Sequence, residues 1–272
     1  MAKPNTKVYI QHHGNMLCDY QWLVVSPERM ASKKNTNPQS AWGPCPTHTV
    51  VVDHPDGRIL FDTTCPRDWQ RRWEGTVAPN WFPYEDVKPE QYFEERLKQL
   101  KLDPSDFKYV VMSHLHLDHA GNLGLFRNTG AKIIVHKKEY QGAISFQGPA
   151  QGFHIKADYM MDGLKWVQID EDMEIMDGVR VLEVPGHTWG TICLMVDLPN
   201  TGTMIFTSDA AYMRESYGPP PAGAAIVYDS LAWLNSVERI RSFATLKDAT
   251  VIFGHDPNQI KEIRLAPEAY YD

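Results

Sequence analysis

Short apolar runs of β type recur along the whole chain: KVYIQH from residue 7, THTVVVD from 47, RILFD from 58, KYVVMSH from 108, AKIIVH from 131, VRVLEVPG from 179, TICLMVDL from 191, TGTMIFTSD from 201 and ATVIFGHD from 249. Turn signals separate them, among them HPDG at 54–57, MDG at 176–178 and LPNTG at 198–202. Helical patterns are fewer. KPEQYFEERLKQL at 88–100 has Pro89 in its first turn and sets Phe93, Leu97 and Leu100 on one face. YDSLAWLNSVERIRSF at 228–243 offers Asp229 or Ser230 as cap, and Leu231, Leu234, Val237 and Ile240 as an apolar stripe. Strands often follow one another directly. That pattern predicts an α/β chain of sheets with helices outside them, not a strictly alternating doubly wound fold.

One stretch holds far more chemistry than packing needs. SHLHLDHAGN at 113–122 follows the apolar run YVVM and places His114, His116, Asp118 and His119 within six positions. A lone histidine is ordinarily a hydrogen-bonded core residue, and a surface cluster is ordinarily solvated. Neither explains four ligand-type side chains together. In an extended segment His114 and His116 point the same way, and a following turn brings Asp118 and His119 back to the same point. Imidazole and carboxylate suit zinc and similar divalent cations. Four such residues exceed what one catalytic zinc needs, so the motif predicts two metals. The later strands end on residues of the same type: His187 in VLEVPGHTWG, Asp209 in MIFTSDAAY and His255 in VIFGHD. Functional residues of layered α/β folds gather at such strand ends.

The remaining features narrow the classes. A net charge of −7 disfavours nucleic acid as a partner, because there is no basic excess to displace counterions. No run approaches the roughly 20 apolar residues of a membrane span, and the start MAKPNTKVYIQHHGN lacks a secretory leader pattern. Cys18, Cys45, Cys65 and Cys193 form no CxxC pair and read as free thiols of a reducing compartment, so the expected location is cytoplasmic. Residues 26–47 read as a polar loop. Residues 65–88 carry Trp69, Trp73, Trp81, Phe82 and Tyr84 among prolines and charges. That aromatic segment reads as a pocket lid, a subunit contact or packing against the body, and the sequence leaves a homodimer open.

HLHLDH, PGH, the SDA aspartate and the late GHD together resemble the metallo-β-lactamase-fold hydrolases. The resemblance implies one domain over residues 1–272, an αββα sandwich of two mixed β-sheets with flanking helices and a metal site at one edge. It implies that His114, His116 and His187 hold one metal, that Asp118, His119 and His255 hold a second, and that Asp209 bridges them. Zinc is the expected metal, with manganese, iron and cobalt as alternatives. The other histidines, at 12, 13, 48, 54, 136 and 154, fall in no ligand motif and read as structural or surface residues, with His13 a candidate for the pocket wall.

The late position of the HxHxDH motif, HLHLDHAGN and SDAAY most resemble the N-acyl homoserine lactonases, with pyridoxolactonase-type enzymes an open alternative. By that resemblance the chain opens a small-molecule lactone, Tyr212 contacts the substrate and stabilises the oxyanion, and Asp118 carries a proton to the leaving ring oxygen. A hydrolase of another ester or thioester, and a non-catalytic metal-binding protein, are the competing classes. Met16, Trp22, Trp81, Phe82 and Phe146 are candidates for an acyl groove. One departure stands out: the family often has Asp-Thr-Gly after an early strand, and here the chain reads Asp62-Thr63-Thr64-Cys65. Asp62 is placed to support a metal ligand from behind, and Thr64 with Cys65 is expected to alter that turn.

Overall fold

The computed structural model describes residues 5–145 and 153–272. Phe146 lies outside them. Its elements run β1 (Lys7–Asp19), β2 (Trp42–His54), β3 (Gly57–Phe61), α1 (Trp69–Arg72), α2 (Ala78–Trp81), α3 (Phe93–Gln99), β4 (Phe107–Val111), β5 (Lys132–His136), α4 (Lys137–Ser145), α5 (Lys156–Tyr159), β6 (Lys165–Ile169), β7 (Met173–Met176), β8 (Val179–Glu183), β9 (Ile192–Leu198), β10 (Gly202–Phe206), α6 (Arg214–Tyr217), α7 (Ser230–Lys247) and β11 (Thr250–Ile252). The first sheet has the order β1-β2-β3-β4-β5-β6 and the second β11-β10-β9-β8-β7. Both are mixed: β3 to β6 pair in parallel beside two antiparallel pairs, and β10 pairs β11 in parallel beside three.

Period-two alternation sends each strand's side chains to two different apolar layers. Ile59 and Phe61 meet Ile192, Leu194 and Val196 between the sheets. Leu60, Val110 and Ile133 face outward against Phe93 and Leu97 of α3, and Cys193, Met195 and Ile205 face Ile240 of α7. Strands covered on both faces read as continuous apolar runs, which is why VVV and ICLMV lack polar alternation. This is the αββα sandwich that the family resemblance implies. Among the described residues no helix is long and apolar enough to cross a membrane.

Three local expectations are corrected. The polar loop ends at residue 41, because residues 42–46 already pair with β1. β2 meets β3 only from Val50 onward, so Pro44 and Pro46 occupy a stretch with no strand on that side to receive an N–H. The helix expected over 88–100 is split into a 3-10 turn at Pro89–Gln91 and α3, with Tyr92 extended between them. The Gln91 carbonyl is taken by His13 Nδ1 at 2.9 Å instead of continuing the helix. In α7, Asp229 caps the amides of Leu231 and Ala232 as expected, but the buried face is Trp233, Ser236, Val237 and Ile240. Leu231 and Leu234 are exposed. The cause lies at Gly186, whose φ of +130° and whose contact with the backbone of Trp233 leave no room for a Cβ, since one would sit 2.2 Å from Trp233 N. The loop before His187 thus presses on the first turn of α7 at Trp233.

The aromatic segment 65–88 holds α1 and α2 and is largely buried. Trp69, Trp73, Phe82 and Tyr84 pack with Met16, Cys45, Leu117, Phe153 and Trp233 in one apolar cluster beside the strand ends. Packing against the body accounts for most of these rings, and Trp81 is the exposed one.

Candidate metal centre

The segments after β4, β8, β10 and β11 carry His114 to His119, His187, Asp209 and His255 to one edge of the sandwich. His187 Nε2 lies 3.0 Å from His114 Nε2 and 2.9 Å from His116 Nδ1. On the other side Asp118 Oδ2 lies 3.5 Å from His119 Nε2 and 3.6 Å from His255 Nε2. Asp209 joins the two groups. Its Oδ2 is 3.2 Å from His187 Nε2, and its Oδ1 is 3.3 Å from His119 Nε2 and 3.0 Å from His255 Nε2. All seven residues expected as ligands therefore converge. They fall into the groups His114–His116–His187, His114–His119–Asp209 and Asp118–His119–His255, within each of which the donor atoms are less than 4.8 Å apart.

The donor set fits divalent cations. Lone pairs on unprotonated imidazole nitrogens about 3 Å apart repel unless a cation sits between them, and nitrogens about 2.0–2.1 Å from a tetrahedral zinc would be separated by only slightly more. His119 Nε2 and Asp209 Oδ1 are buried without a hydrogen-bond partner, the state of a donor atom reserved for a metal. Burial holds His114 and His116 well below the usual imidazole range. Burial disfavours the charge of Asp209, yet His255, His119 and His187 hold its carboxyl well below the usual carboxylate range. Burial disfavours the charged forms of His119 and His255 too, but the Asp118 and Asp209 carboxylates raise His119 well above the usual imidazole range and His255 to about 9. A cation must therefore displace protons from these two, whereas His114 and His116 are already in the neutral, ligand-ready form.

Four of the five rings are aimed from behind. Asp62 Oδ2 accepts His119 Nδ1–H at 2.8 Å, and the same carboxylate accepts the Ser113 amide and hydroxyl at 2.7 Å each. The supporting place expected for Asp62 is thus occupied. Ser113 Oγ meets His114 Nδ1 at 2.9 Å, and the Pro46 carbonyl meets His255 Nδ1 at 2.9 Å. The turn after β3 is sewn to the ligand loop: Thr63 N and Oγ1 donate to the His119 carbonyl, and Asn122 Nδ2 donates to the carbonyls of Thr63 and Cys65. Thr64 stands at φ +51°, the left-handed region that glycine enters without strain, so the threonine at this position adds strain to the turn. Cys65 is buried and gives the loop only its carbonyl.

Tyr212 lies behind His187 and is not among the residues that line the cavity over the cluster. The residue is fully buried, and its Oη lies 2.6 Å from His187 Nδ1 and 2.6 Å from the Ile226 carbonyl. Ligation through Nε2 leaves the His187 proton on Nδ1, so Oη accepts that proton and donates its own to Ile226 O. In this arrangement Tyr212 steadies a ligand. His13 is likewise not part of the pocket wall, since it is buried between the Gln91 carbonyl and Thr49 Oγ1.

A narrow cavity of about 340 Å³ of empty space, mouth included, opens onto the cluster. His116, Asp118, Asp209 and His255 form its polar floor, and Met16, Leu23, Cys45, Phe82, Leu117, Phe153 and Ile226 form its walls. Of the residues proposed for an acyl groove, Met16 and Phe82 line it. Trp22 packs tilted against Phe82 and edge-on to Phe153, and Trp81 packs tilted against Trp22 and Phe153. Leu117 was the recoverable omission, lying between two ligands in HLHLDH. Leu23, Phe153 and Ile226 come from distant segments with no such signal.

The model of the Metallo-beta-lactamase superfamily matches residues 42–255. An N-acyl homoserine lactonase of Rhizobium radiobacter, AttM, is 34% identical over 238 residues, covering 83% of this chain and 87% of its own. The N-acyl homoserine lactonase AiiB of Agrobacterium fabrum is 28% identical over 280 residues, covering 98% and 99%. A solved N-acyl homoserine lactone hydrolase, with the product N-hexanoyl-L-homoserine bound at its catalytic metal centre, superimposes with a TM-score of 0.83 at 26% identity, covering 97% of this chain and 98% of its own.

Proposed function

We propose, from the premise that this chain belongs to the metallo-β-lactamase superfamily, that it hydrolyses the lactone ring of N-acyl homoserine lactones, the activity for which its relatives are named. The observation that carries this reading is a bridged two-group ligand set at the floor of a small apolar-walled cavity. The chain acts as one domain. His114, His116 and His187 hold one divalent cation, Asp118, His119 and His255 hold a second, and Asp209 bridges them, with zinc preferred to manganese, iron or cobalt. Bound there, the cations supply Lewis acidity, polarising the ester carbonyl and lowering the pKa of water to about 7.

The protein's own part is placement and proton transfer. Hydrolysis adds water across the ring's acyl C–O bond: oxygen goes to the carbonyl carbon and a proton goes to the leaving ring oxygen. Asp118 faces both the second ligand group and the cavity, so its carboxylate is placed to pass that proton. Burial disfavours its charge, but protonated His119 and His255 hold its carboxyl below the usual range in the metal-free cluster. Met16, Leu23, Phe82, Leu117, Phe153 and Ile226 exclude water and seat the acyl chain. Tyr212 holds His187 in its ligating tautomer. Four buried unpaired cysteines fit a reducing, cytoplasmic setting. The test is a panel of acyl homoserine lactones, simple γ-lactones, an aromatic pyridoxolactone-type lactone and a glutathione thioester, followed by proton release. Preference for the acyl homoserine lactones is expected. Preference for another member moves the substrate assignment, and silence throughout with metal bound refutes the hydrolase reading.

A further inference from the structure

Four of the five histidines in the ligand set have a partner for the nitrogen that does not ligate: Ser113 for His114, Asp62 for His119, Tyr212 and Ile226 O for His187, and Pro46 O for His255. His116 differs. Its Nδ1 faces His187, so ligation leaves its proton on Nε2, and Nε2 is buried with no hydrogen-bond partner among the described residues. The ring of His154 stands beside it, with centroids 4.4 Å apart and planes crossed at 70°. His154 is buried too, its Nε2 lies 3.5 Å from Glu139 Oε1, and its Nδ1 has no partner among the described residues. An Nε2–H that donates to the carboxylate leaves Nδ1 as an acceptor. A spare buried donor and a spare buried acceptor therefore sit on adjacent rings.

Glu139 is wholly buried on α4, outside every ligand group. Its Oε1 accepts the Leu115 amide at 2.9 Å, between two ligands, and its Oε2 accepts the Gly190 amide at 3.4 Å, three residues past His187. Gly190 permits this approach, since a Cβ there would lie 2.6 Å from Glu139 N. One carboxylate thus ties the ligand loop of the first sheet to that of the second.

We propose that Glu139 and His154 are positioning residues for the first metal group. Glu139 accepts from His154 Nε2–H, His154 Nδ1 accepts from His116 Nε2–H once a metal orients the rings, and the carboxylate clamps the loops that carry His114, His116 and His187. The proposal rests on the metal reading above and not on the choice of substrate. Zinc binding by the full chain, measured by chelator competition without any substrate, tests it. Glu139→Gln and His154→Phe lose one zinc about tenfold more readily than the unaltered chain while the other is retained. His154→Gln, whose amide can donate to Glu139 and accept from His116, stays within about twofold. Cobalt(II) loading places the altered absorption bands at one site only. Zinc binding by His154→Phe equal to that of the unaltered chain overturns the relay, and so does a His154→Gln as weak as His154→Phe, which would make the role steric. If Glu139→Gln does not fold, the His154 pair decides alone. An unaltered chain that binds no zinc would refute the metal reading instead.

Discussion

Asp62→Asn isolates how much of the centre depends on residues that never touch a metal. The Asp62 carboxylate accepts three hydrogen bonds, from His119 Nδ1 and from the amide and hydroxyl of Ser113, all at 2.7–2.8 Å and all buried. Asparagine is the same size but offers one oxygen and one NH₂. If that oxygen keeps the Ser113 amide, the NH₂ faces His119 Nδ1. Two donors cannot meet there, so His119 shifts its proton to Nε2, the atom that faces Asp209 and Asp118. A protonated Nε2 cannot ligate. Restoring the ligating tautomer leaves a buried donor unpaired, at about 1–3 kcal/mol, which agrees with the 10- to 100-fold loss of metal affinity usual for such supports. The effect belongs to the second group, so chelator competition should show one metal lost at 10- to 100-fold lower chelator concentration and the other nearly unchanged. Equal retention of both metals would refute the tautomer argument. Equal loss of both would show that Asp62 holds the whole edge and not one ring.

Other perturbations read different parts of the molecule. Tyr212→Phe removes the acceptor of His187 Nδ1–H but leaves the Ile226 carbonyl at 2.9 Å, so first-group metal affinity should fall by about tenfold or less, whereas unchanged metal affinity with a large loss of kcat would restore a direct role at the substrate. Thr64→Gly relieves a left-handed residue, about 1–2 kcal/mol, against about 0.5–1 kcal/mol of added unfolded-state entropy, so Tm should rise by up to about 3 °C, and a fall of several degrees would contradict the strain. His13, pushed down to about 3 by burial from its ordinary 6.5, stays neutral in the folded chain while the unfolded chain takes up its proton. Acid therefore favours unfolding between those values, by up to about 1.4 kcal/mol per pH unit. In denaturant titrations His13→Gln should flatten that acid limb, and parallel limbs would show that another group sets it.

The layers of the fold were legible because sheets buried on both faces leave long apolar runs, and the candidate ligands were legible because HLHLDH, PGH, SDA and GHD place unusual residues at strand ends. What sequence could not show was set by contacts between distant segments. The 88–100 helix breaks because His13 claims a carbonyl of Gln91. The buried face of α7 turns toward Trp233 because Gly186 abuts it. The Ile226 carbonyl beside the Tyr212 hydroxyl comes from a segment with no signal in the sequence. Glu139 and His154 sit in no motif, and only the fold brings them behind His116.

Mass spectrometry of N-hexanoyl homoserine lactone incubated with the zinc-loaded protein reads ring opening at the bridged cluster directly. The expected product is heavier by one water, absent after chelation and restored by zinc. A protein that binds two metals at this edge and leaves the lactone unchanged would contradict the proposed function.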